Sequence, residues 1–154
     1  ASDVYKRQHV DASKGMVTWA KENAVSSGLG DAPIRWLVDD CVKFVEREIR
    51  RGNTYDAIIM DPPSYGRGPK GEIWKIEDMI HPLIKLCTKI LSKDALFFLV
   101  NSYTTGLAPA VLTYMISTEL KPWNGHVDSQ EIGLPVTDSG LVLPCGASGR
   151  WERD

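Results

Sequence analysis

The stretch that decides the fold of this chain is Tyr55-Asp56-Ala57-Ile58-Ile59-Met60-Asp61-Pro62-Pro63-Ser64-Tyr65. Residues 55–60 form a short, mostly apolar run, which is typical of a strand inside a parallel sheet. The acidic residue and the two prolines that follow end this strand and stiffen the turn after it. A rigid acidic turn directly after a buried strand lies where ligands bind in α/β sheets.

Strand and helix patterns alternate on both sides of this stretch, which predicts an α/β fold with a mostly parallel sheet. The C-terminal region departs from this pattern, because two weaker strands flank the turn Asp138-Ser139-Gly140 and predict an antiparallel hairpin. A glycine-rich loop is expected over residues 62–75. The first predicted strand ends at Asp11, and the others cover residues 34–38, 55–60, 95–100, 127–132 and 141–145. Helices are expected after Ser13, after Asp40, over residues 76–91 with Pro82 near the helix start, and over residues 107–119.

The composition is that of an ordinary cytoplasmic domain. The 154 residues are 43% apolar and 25% charged, and no apolar run has the length of a membrane span. The three cysteines form no CxxC pair and the histidines have no ligand spacing, so we expect neither a metal site nor a disulfide framework. The net charge of −2 provides no global attraction for nucleic acid, so any RNA affinity requires a local patch.

Polar side chains stand at four predicted strand ends: Asp11, the pair Asp39-Asp40, Asp61 and Asn101. Because carboxyl ends of parallel strands share one edge of a sheet, we expect these groups to converge there. Asp11 is suited either to accept hydrogen bonds from ribose hydroxyls or to cap a helix together with Ser13. The Asp39-Asp40 pair is suited to bind an adenine amino group, to cap the next helix, or to do both.

The sharpest motif is Asp61-Pro62-Pro63-Ser64-Tyr65. The prolines fix the position of the Pro62 carbonyl, which together with Asp61 can accept hydrogen bonds from an amine and align it with a methyl donor. Tyr65 offers a flat surface on which a base can stack. The alternative is a plain strand-to-loop turn, although the other acidic strand ends favour the functional interpretation.

The loop after this motif is flexible and basic. Arg67 and Lys70 are candidates for binding substrate phosphates, and a solvated surface loop is the alternative. Methylation of a pyrimidine carbon requires a cysteine thiolate, but no cysteine occurs in residues 61–66 or 101–106. Cys145 is expected to belong to the core. The sequence therefore predicts a nitrogen or oxygen acceptor.

Several of these segments resemble the class I S-adenosylmethionine (SAM)-dependent methyltransferases related to bacterial 23S rRNA large-subunit methyltransferases. The resemblance covers the chain from His9 onward. The run Asp61-Pro62-Pro63-Ser64-Tyr65-Gly66-Arg67-Gly68-Pro69-Lys70-Gly71-Glu72 carries most of it. The other matching segments are residues 9–14, 19–23, 38–40, 55–60 and 143–146.

This resemblance implies a Rossmann-like, seven-stranded sheet with a reversed last hairpin, SAM as the cofactor and an rRNA base as the substrate. It implies Asp11, with Ala12 and Ser13, at the cofactor ribose, and Asp40 with Asp39 and the backbone of Cys41 at adenine. It places methyl transfer at residues 61–65. The implied cofactor contacts are Asp11, Ala12, Ser13, Asp39, Asp40, Cys41 and Asp61; the catalytic residues are Asp61, Pro62, Pro63 and Tyr65; the substrate contacts are Ser64, Tyr65, Arg67, Lys70 and Asn101.

Two departures from the family pattern limit this prediction. The family's first strand and its glycine-rich loop are missing, so residues 1–8 are expected to be an unassigned, foreign or ragged start and residues 9–154 a partial methyltransferase domain. Cytosine-5 relatives carry a cysteine where Asn101-Ser102-Tyr103 stands here, which disfavours a carbon target. A small-molecule or protein methyltransferase, and an inactive truncated fragment, are the alternatives.

Overall fold

The computed structural model describes residues 7–68 and 71–154, which divide into two compact units, residues 7–50 and residues 51–154. Lys70 and residues 1–6 lie outside the described residues. Within the described residues, no helix is both long and apolar enough to span a bilayer. The predicted boundary after residue 8 stays a prediction, although the first strand already begins at Arg7.

The first unit is a pair of parallel strands with two helices: β1 (Arg7–Asp11), α1 (Lys14–Ser26), β2 (Ile34–Val38) and α2 (Cys41–Arg51). The α1 helix packs against both strands and buries Val17, whereas Met16 and Trp19 are exposed. Ser13 is its N-cap, because its Oγ accepts a hydrogen bond from the Met16 N–H at 3.4 Å. The predicted order of elements in this part of the chain is confirmed.

The second unit is built on a four-stranded sheet in the order β3-β6-β8-β7. The β3 and β6 strands are parallel, and β8 runs antiparallel to both of its neighbours, so the predicted reversed hairpin is confirmed. The predicted absence of one strand stays a prediction. The elements are β3 (Ala57–Met60), β4 (Tyr65–Arg67), β5 (Ile73–Lys75), α3 (Ile76–Thr88), β6 (Phe97–Ser102), α4 (Pro109–Glu119), β7 (His126–Pro135) and β8 (Val142–Glu152).

The core of this unit lies where α4 packs on β7 and β8. Leu112 and Ile116 of α4 are fully buried, as are Phe98 of β6 and Trp151 of β8. The helix approaches β8 closely at Gly149, where an added Cβ would lie 2.8 Å from Leu112 Cβ. The absence of a side chain at Gly149 therefore sets the distance between this helix and the sheet.

The predicted loop over residues 62–75 is wrong, because β4 and β5 form a small antiparallel hairpin there. Each strand has only three residues, and Gly66 interrupts the first, so no alternating apolar pattern marks them. The turn is closed by a hydrogen bond from the Gly68 N–H to the Glu72 carbonyl at 2.8 Å. Gly71 adopts a φ of 87°, a conformation that favours glycine.

Three predicted boundaries also need correction. The α3 helix begins at Ile76, so Pro82 lies inside it and not in its first turn. The β6 strand extends to Ser102, two residues beyond the predicted end, and the last strand continues to Glu152 and not only to Cys145. The small residues at positions 146–149 hide the extension of the last strand from the sequence pattern. Gly149 packs against Leu112 and Ile116 of α4, whereas Gly146 packs against Ser102 and Tyr103.

Replacing Gly149 by alanine should destabilise the protein, because the new methyl group must displace Leu112. Overpacking of this kind typically costs about 1–3 kcal/mol, which corresponds to a fall in Tm of about 3–10 °C for a protein of this size. Gly15→Ala is the matched control, since its added Cβ meets only Ser13 Oγ at 3.8 Å and sits in a helix. Thermal unfolding followed by circular dichroism measures both, and an unchanged Tm for Gly149→Ala would contradict the close packing.

Candidate active site

In the first unit, the ends of β1 and β2 bring two acidic residues side by side. The Asp39 N–H donates a hydrogen bond to the Asp11 carbonyl at 2.9 Å, which continues the parallel ladder beyond the last strand pair. The Asp11 carboxylate accepts a hydrogen bond from the Ser13 N–H through Oδ1 at 2.6 Å. Asp11 thus stabilises the entry to α1 through Oδ1, which confirms its part in the helix cap. Oδ2 takes no part in that bond, and the predicted contact of Asp11 with ribose stays a prediction.

The neighbouring residues Asp39 and Asp40 have different partners. Asp40 is the N-cap of α2, since its Oδ1 accepts a hydrogen bond from the Lys43 N–H at 2.9 Å. Asp39 forms an ion pair with Arg47 and accepts the Asp40 N–H at 2.9 Å. The N-cap prediction is therefore confirmed for Asp40, and this cap uses only one of its two carboxylate oxygens.

Cys41 is the first residue of α2, and its N–H has no carbonyl to bond within the helix, as at any helix start. Its thiol donates to the Val10 carbonyl at 3.6 Å, which links α2 to β1. Burial, followed by the nearby carboxylates of Asp11, Asp40 and Asp39, raises the pKa of Cys41 to about 11. The thiol is therefore neutral at physiological pH.

These residues fit the adenosine part of a cofactor. The Asp40 carboxylate and the Cys41 N–H offer an acceptor beside a donor, which complements an amino group beside a ring nitrogen. The Asp11 carboxylate can accept hydrogen bonds from two adjacent hydroxyls. Ala12 and Ser13 are exposed next to Asp11, but the Ser13 hydroxyl is already used by the helix cap.

In the second unit, the Asp61–Ser64 turn is fixed by three hydrogen bonds from different parts of the chain. The Trp74 indole donates to the Pro63 carbonyl at 2.6 Å, and the Ile76 N–H donates to the Ser64 carbonyl at 3.1 Å. Ser64 Oγ and Thr104 Oγ1 lie 2.6 Å apart and share a hydrogen bond. The Pro62 carbonyl has no hydrogen-bond partner within residues 7–68 and 71–154, so it is available to a ligand.

Asp61 stands beside a residue that the sequence prediction left out of the site, Tyr103. Because Met60 pairs with Val100, β6 extends two residues beyond the level at which β3 ends, and Tyr103 directly follows that extension. Burial raises the pKa of Asp61. The Asp61 carboxylate is also the main cause of a raised pKa for Tyr103, so the two groups are within electrostatic reach. The position of a tyrosine just after an apolar strand is the sequence signal that could have indicated this residue.

Asn101 lies inside β6 opposite Ser148, so the prediction that it follows the strand is wrong. The strand is longer than its apolar run because Asn101 and Ser102 continue the ladder with β8. Its predicted contact with substrate stays a prediction. Within the first unit, the strand ends at Asp11 and Asp39 meet. Within the second unit, Asp61 at the end of β3 lies beside the C-terminal part of β6. That all of these strand ends share one edge of a sheet stays a prediction.

The exposed face of the β4–β5 hairpin carries two of the predicted substrate contacts. The Tyr65 side chain is 52% exposed, and its hydroxyl accepts a hydrogen bond from Arg67 Nε at 2.9 Å. The aromatic ring of Tyr65 and the guanidinium of Arg67 are therefore held side by side. The ring is suited to stack on a base, and the guanidinium is suited to bind a phosphate. Lys70, the other predicted phosphate contact, lies outside the described residues.

Cys145 lies closer to the candidate site than its position in the terminal hairpin indicated. Its thiol donates to the Ile132 carbonyl at 3.4 Å, and it contributes to the raised pKa of Tyr103. Its neighbour Gly146 packs against Tyr103, since an added Cβ would lie 2.8 Å from Tyr103 Cδ1. Cys145 is half-buried and not part of the fully buried core.

Cys41 should react slowly with iodoacetamide at pH 8. A pKa of about 11 in place of the ordinary 9.0 leaves about 100-fold less thiolate, which is the reactive form. The rate should rise with pH until about pH 11. Peptide mass spectrometry after timed alkylation measures the rate at which Cys41 reacts, with the urea-unfolded protein as the control. Alkylation of Cys41 in the folded protein at the unfolded rate would contradict the acidic, desolvated environment.

Comparisons with known proteins agree with this fold, although no protein-family model matches the chain. Ribosomal RNA large subunit methyltransferase K of Neisseria meningitidis is 28% identical over 94 residues, which are 60% of this chain and 27% of that protein. The SAM-dependent methyltransferase from Agrobacterium tumefaciens has a TM-score of 0.87 at 38% identity, over 96% of this chain. The structure of SMU.776 complexed with SAH has a TM-score of 0.71 at 20% identity, over 94% of this chain and 38% of that one.

This chain spans only part of these proteins: about a quarter of the Neisseria methyltransferase and 49% of the Agrobacterium chain. The match in structure extends over both units, whereas the match in sequence to the Neisseria protein covers 60% of the chain. The chain thus has the Rossmann-like α/β fold of the class I SAM-dependent methyltransferases and resembles the ribosomal RNA large-subunit methyltransferases.

Proposed function

We propose that the intact protein transfers the methyl group of SAM to a nitrogen atom of a ribosomal RNA base. The observation that carries this proposal is the Asp61–Pro62 corner. At the end of β3 it offers a carboxylate and a carbonyl that has no hydrogen-bond partner among the described residues, on a turn fixed by Trp74 and by the Ser64–Thr104 contact. Two fixed acceptors at one point suit an amine that must be aligned before it reacts.

The first unit supplies the residues proposed to bind the cofactor. Asp11 accepts hydrogen bonds from the ribose hydroxyls, and Asp40 with the Cys41 N–H binds the adenine edge. Asp39 acts indirectly, because its ion pair with Arg47 fixes the segment that leads into α2. When bound, the cofactor supplies an electrophilic methyl group on a sulfonium centre. The chemistry therefore requires no metal and no covalent enzyme intermediate for a nitrogen acceptor.

At the corner, the acceptor nitrogen donates its hydrogens to Asp61 and to the Pro62 carbonyl. These two bonds fix the direction of the nitrogen lone pair, which forms the new N–C bond as the C–S bond of the donor breaks. The methylated nitrogen then loses a proton, which the Asp61 carboxylate is placed to accept. The raised pKa of Asp61 makes this carboxylate a better proton acceptor than an ordinary aspartate.

RNA as the substrate is supported by two observations. The curated relatives are ribosomal RNA large-subunit methyltransferases, by name. The exposed Tyr65–Arg67 pair offers a stacking surface and a cation beside the corner. Since the chain's net charge is −2, this local patch, and not a general basic field, provides the attraction for RNA. A cytoplasmic location fits such a substrate.

Two aspartate variants of the full-length protein test the assignment of roles. Asp11→Asn keeps an oxygen for the Ser13 N–H but loses the charge, so SAM binding should weaken about tenfold or more. Asp61→Asn should lose about 100-fold or more in methyl transfer, because it removes the proton acceptor, while its SAM affinity should fall less than that of Asp11→Asn. Calorimetry measures cofactor binding, and transfer of labelled methyl to total RNA measures activity.

Asp31→Ala is the matched control, since Asp31 is an exposed acidic residue in the loop between α1 and β2. It should behave like the wild type in both assays. Label found only in small molecules or protein would support the alternative acceptors and count against RNA. A full-length protein that binds no SAM, and whose Tm does not rise when SAM is added, would support an inactive fold and defeat the proposal.

A variant at Cys145 distinguishes a nitrogen acceptor atom from a carbon acceptor atom. Methylation of a pyrimidine carbon needs a thiolate that adds to the ring, whereas a nitrogen acceptor needs none. The Cys145 thiol lies near Tyr103 but donates to the Ile132 carbonyl, which indicates a structural bond. Cys145→Ala should therefore keep at least half of the wild-type transfer to RNA. A loss above 100-fold, with SAM binding and Tm unchanged, would show that the acceptor is carbon.

A further inference from the structure

Tyr103 occupies a defined position over the edge of the four-stranded sheet. It directly follows β6, the strand between β3 and β8. Its ring lies against the backbone of Gly146, where an added Cβ would come within 2.8 Å of Cδ1. The position of the Tyr103 ring therefore depends on the absence of a side chain at Gly146 of β8, against which the ring packs.

The phenol of Tyr103 lies within electrostatic reach of Asp61. The Asp61 carboxylate is the largest cause of the raised pKa of Tyr103, ahead of burial and Cys145. No hydrogen bond joins the two groups within the described part of the chain. A phenol O–H and a carboxylate thus lie near each other with their hydrogen-bonding capacity available, a donor beside an acceptor.

The Ser64–Thr104 hydrogen bond connects the loops that carry Tyr65 and Tyr103. Each tyrosine is the chain neighbour of one partner in this bond, so the bond holds the backbone at Tyr65 and at Tyr103 near the Asp61–Pro62 corner. Tyr65 is 52% exposed and Tyr103 is 51% exposed. Two half-exposed aromatic rings beside fixed polar acceptors are suited to a flat, unpaired heterocycle, which gains contact area by stacking.

We propose that Tyr103 is a specificity-determining residue that contacts the substrate. Its ring packs on an unpaired nucleobase together with Tyr65, and its hydroxyl donates to an acceptor atom next to the nitrogen held by Asp61 and the Pro62 carbonyl. The inference rests on the proposed function and narrows it to bases in single-stranded or extruded RNA with a hydrogen-bond acceptor beside the methylated nitrogen. Aliphatic amines lack both features.

Full-length variants at Tyr103 test this inference. Tyr103→Leu removes the ring and should raise the KM for RNA about tenfold or more, while SAM affinity and Tm stay unchanged. Tyr103→Phe keeps the ring and should leave RNA binding within about threefold but lower kcat. Fluorescence anisotropy with a short unpaired RNA containing all four bases, in the presence of SAH, provides a second readout. Tyr114→Leu and Tyr114→Phe are the matched controls, on an α4 tyrosine that is 71% exposed.

These measurements test the proposed function and the role of Tyr103 separately. A wild type that transfers methyl to RNA, with a Tyr103→Leu variant of the same KM, kcat and RNA affinity, overturns the inference about Tyr103 and leaves the proposed function in place. A loss shared equally by the Tyr114 variants overturns it too, because the effect is then not specific to the site. A wild type that transfers no methyl to RNA overturns the proposed function and this inference with it.

Discussion

The candidate active site depends on the hydrogen bond from the Trp74 indole to the Pro63 carbonyl. Trp74 belongs to the β4–β5 hairpin, so this bond joins the hairpin to the turn that leads into it. The Ser64–Thr104 contact joins the same turn to the loop after β6. Because two consecutive prolines leave the turn little freedom, these two bonds fix the Pro62 carbonyl and Asp61 before any substrate arrives.

The two units contribute different chemistry. In the first, Asp40 caps the start of α2, and burial together with the nearby carboxylates keeps the Cys41 thiol neutral, which leaves a donor and acceptors at the end of a parallel strand pair. In the second, a rigid corner and two tyrosines provide acceptors for an amine and flat surfaces for its ring. In the proposed mechanism, the first set recognises the donor molecule and the second orients the acceptor.

The order of strands and helices and most acidic positions follow from the sequence, since apolar strands and Asp-capped helices leave strong local patterns. The acidic turn after β3 was also predictable, because Pro62 and Pro63 end a strand unambiguously. The β4–β5 hairpin was not, as three-residue strands carry no period, and the extent of β8 was hidden by the small residues at positions 146–149. Tyr103 was missed as a site residue because its proximity to Asp61 arises from the register between β3 and β6. Cys145 was expected in the core but is half-buried, because its surroundings depend on residues distant in sequence, such as Ile132 of β7.

In the proposed mechanism, the rigid Asp61–Pro62 corner directs methyl transfer to a base nitrogen. Nucleoside mass spectrometry of ribosomal RNA, from cells lacking this gene, after incubation with the full-length protein and trideuteromethyl-labelled SAM, tests this directly. One labelled nucleoside is expected, and its fragmentation should place the label on a nitrogen of the base. Label on a base carbon or on ribose, or no label in RNA from a protein that binds SAM, would contradict this mechanism.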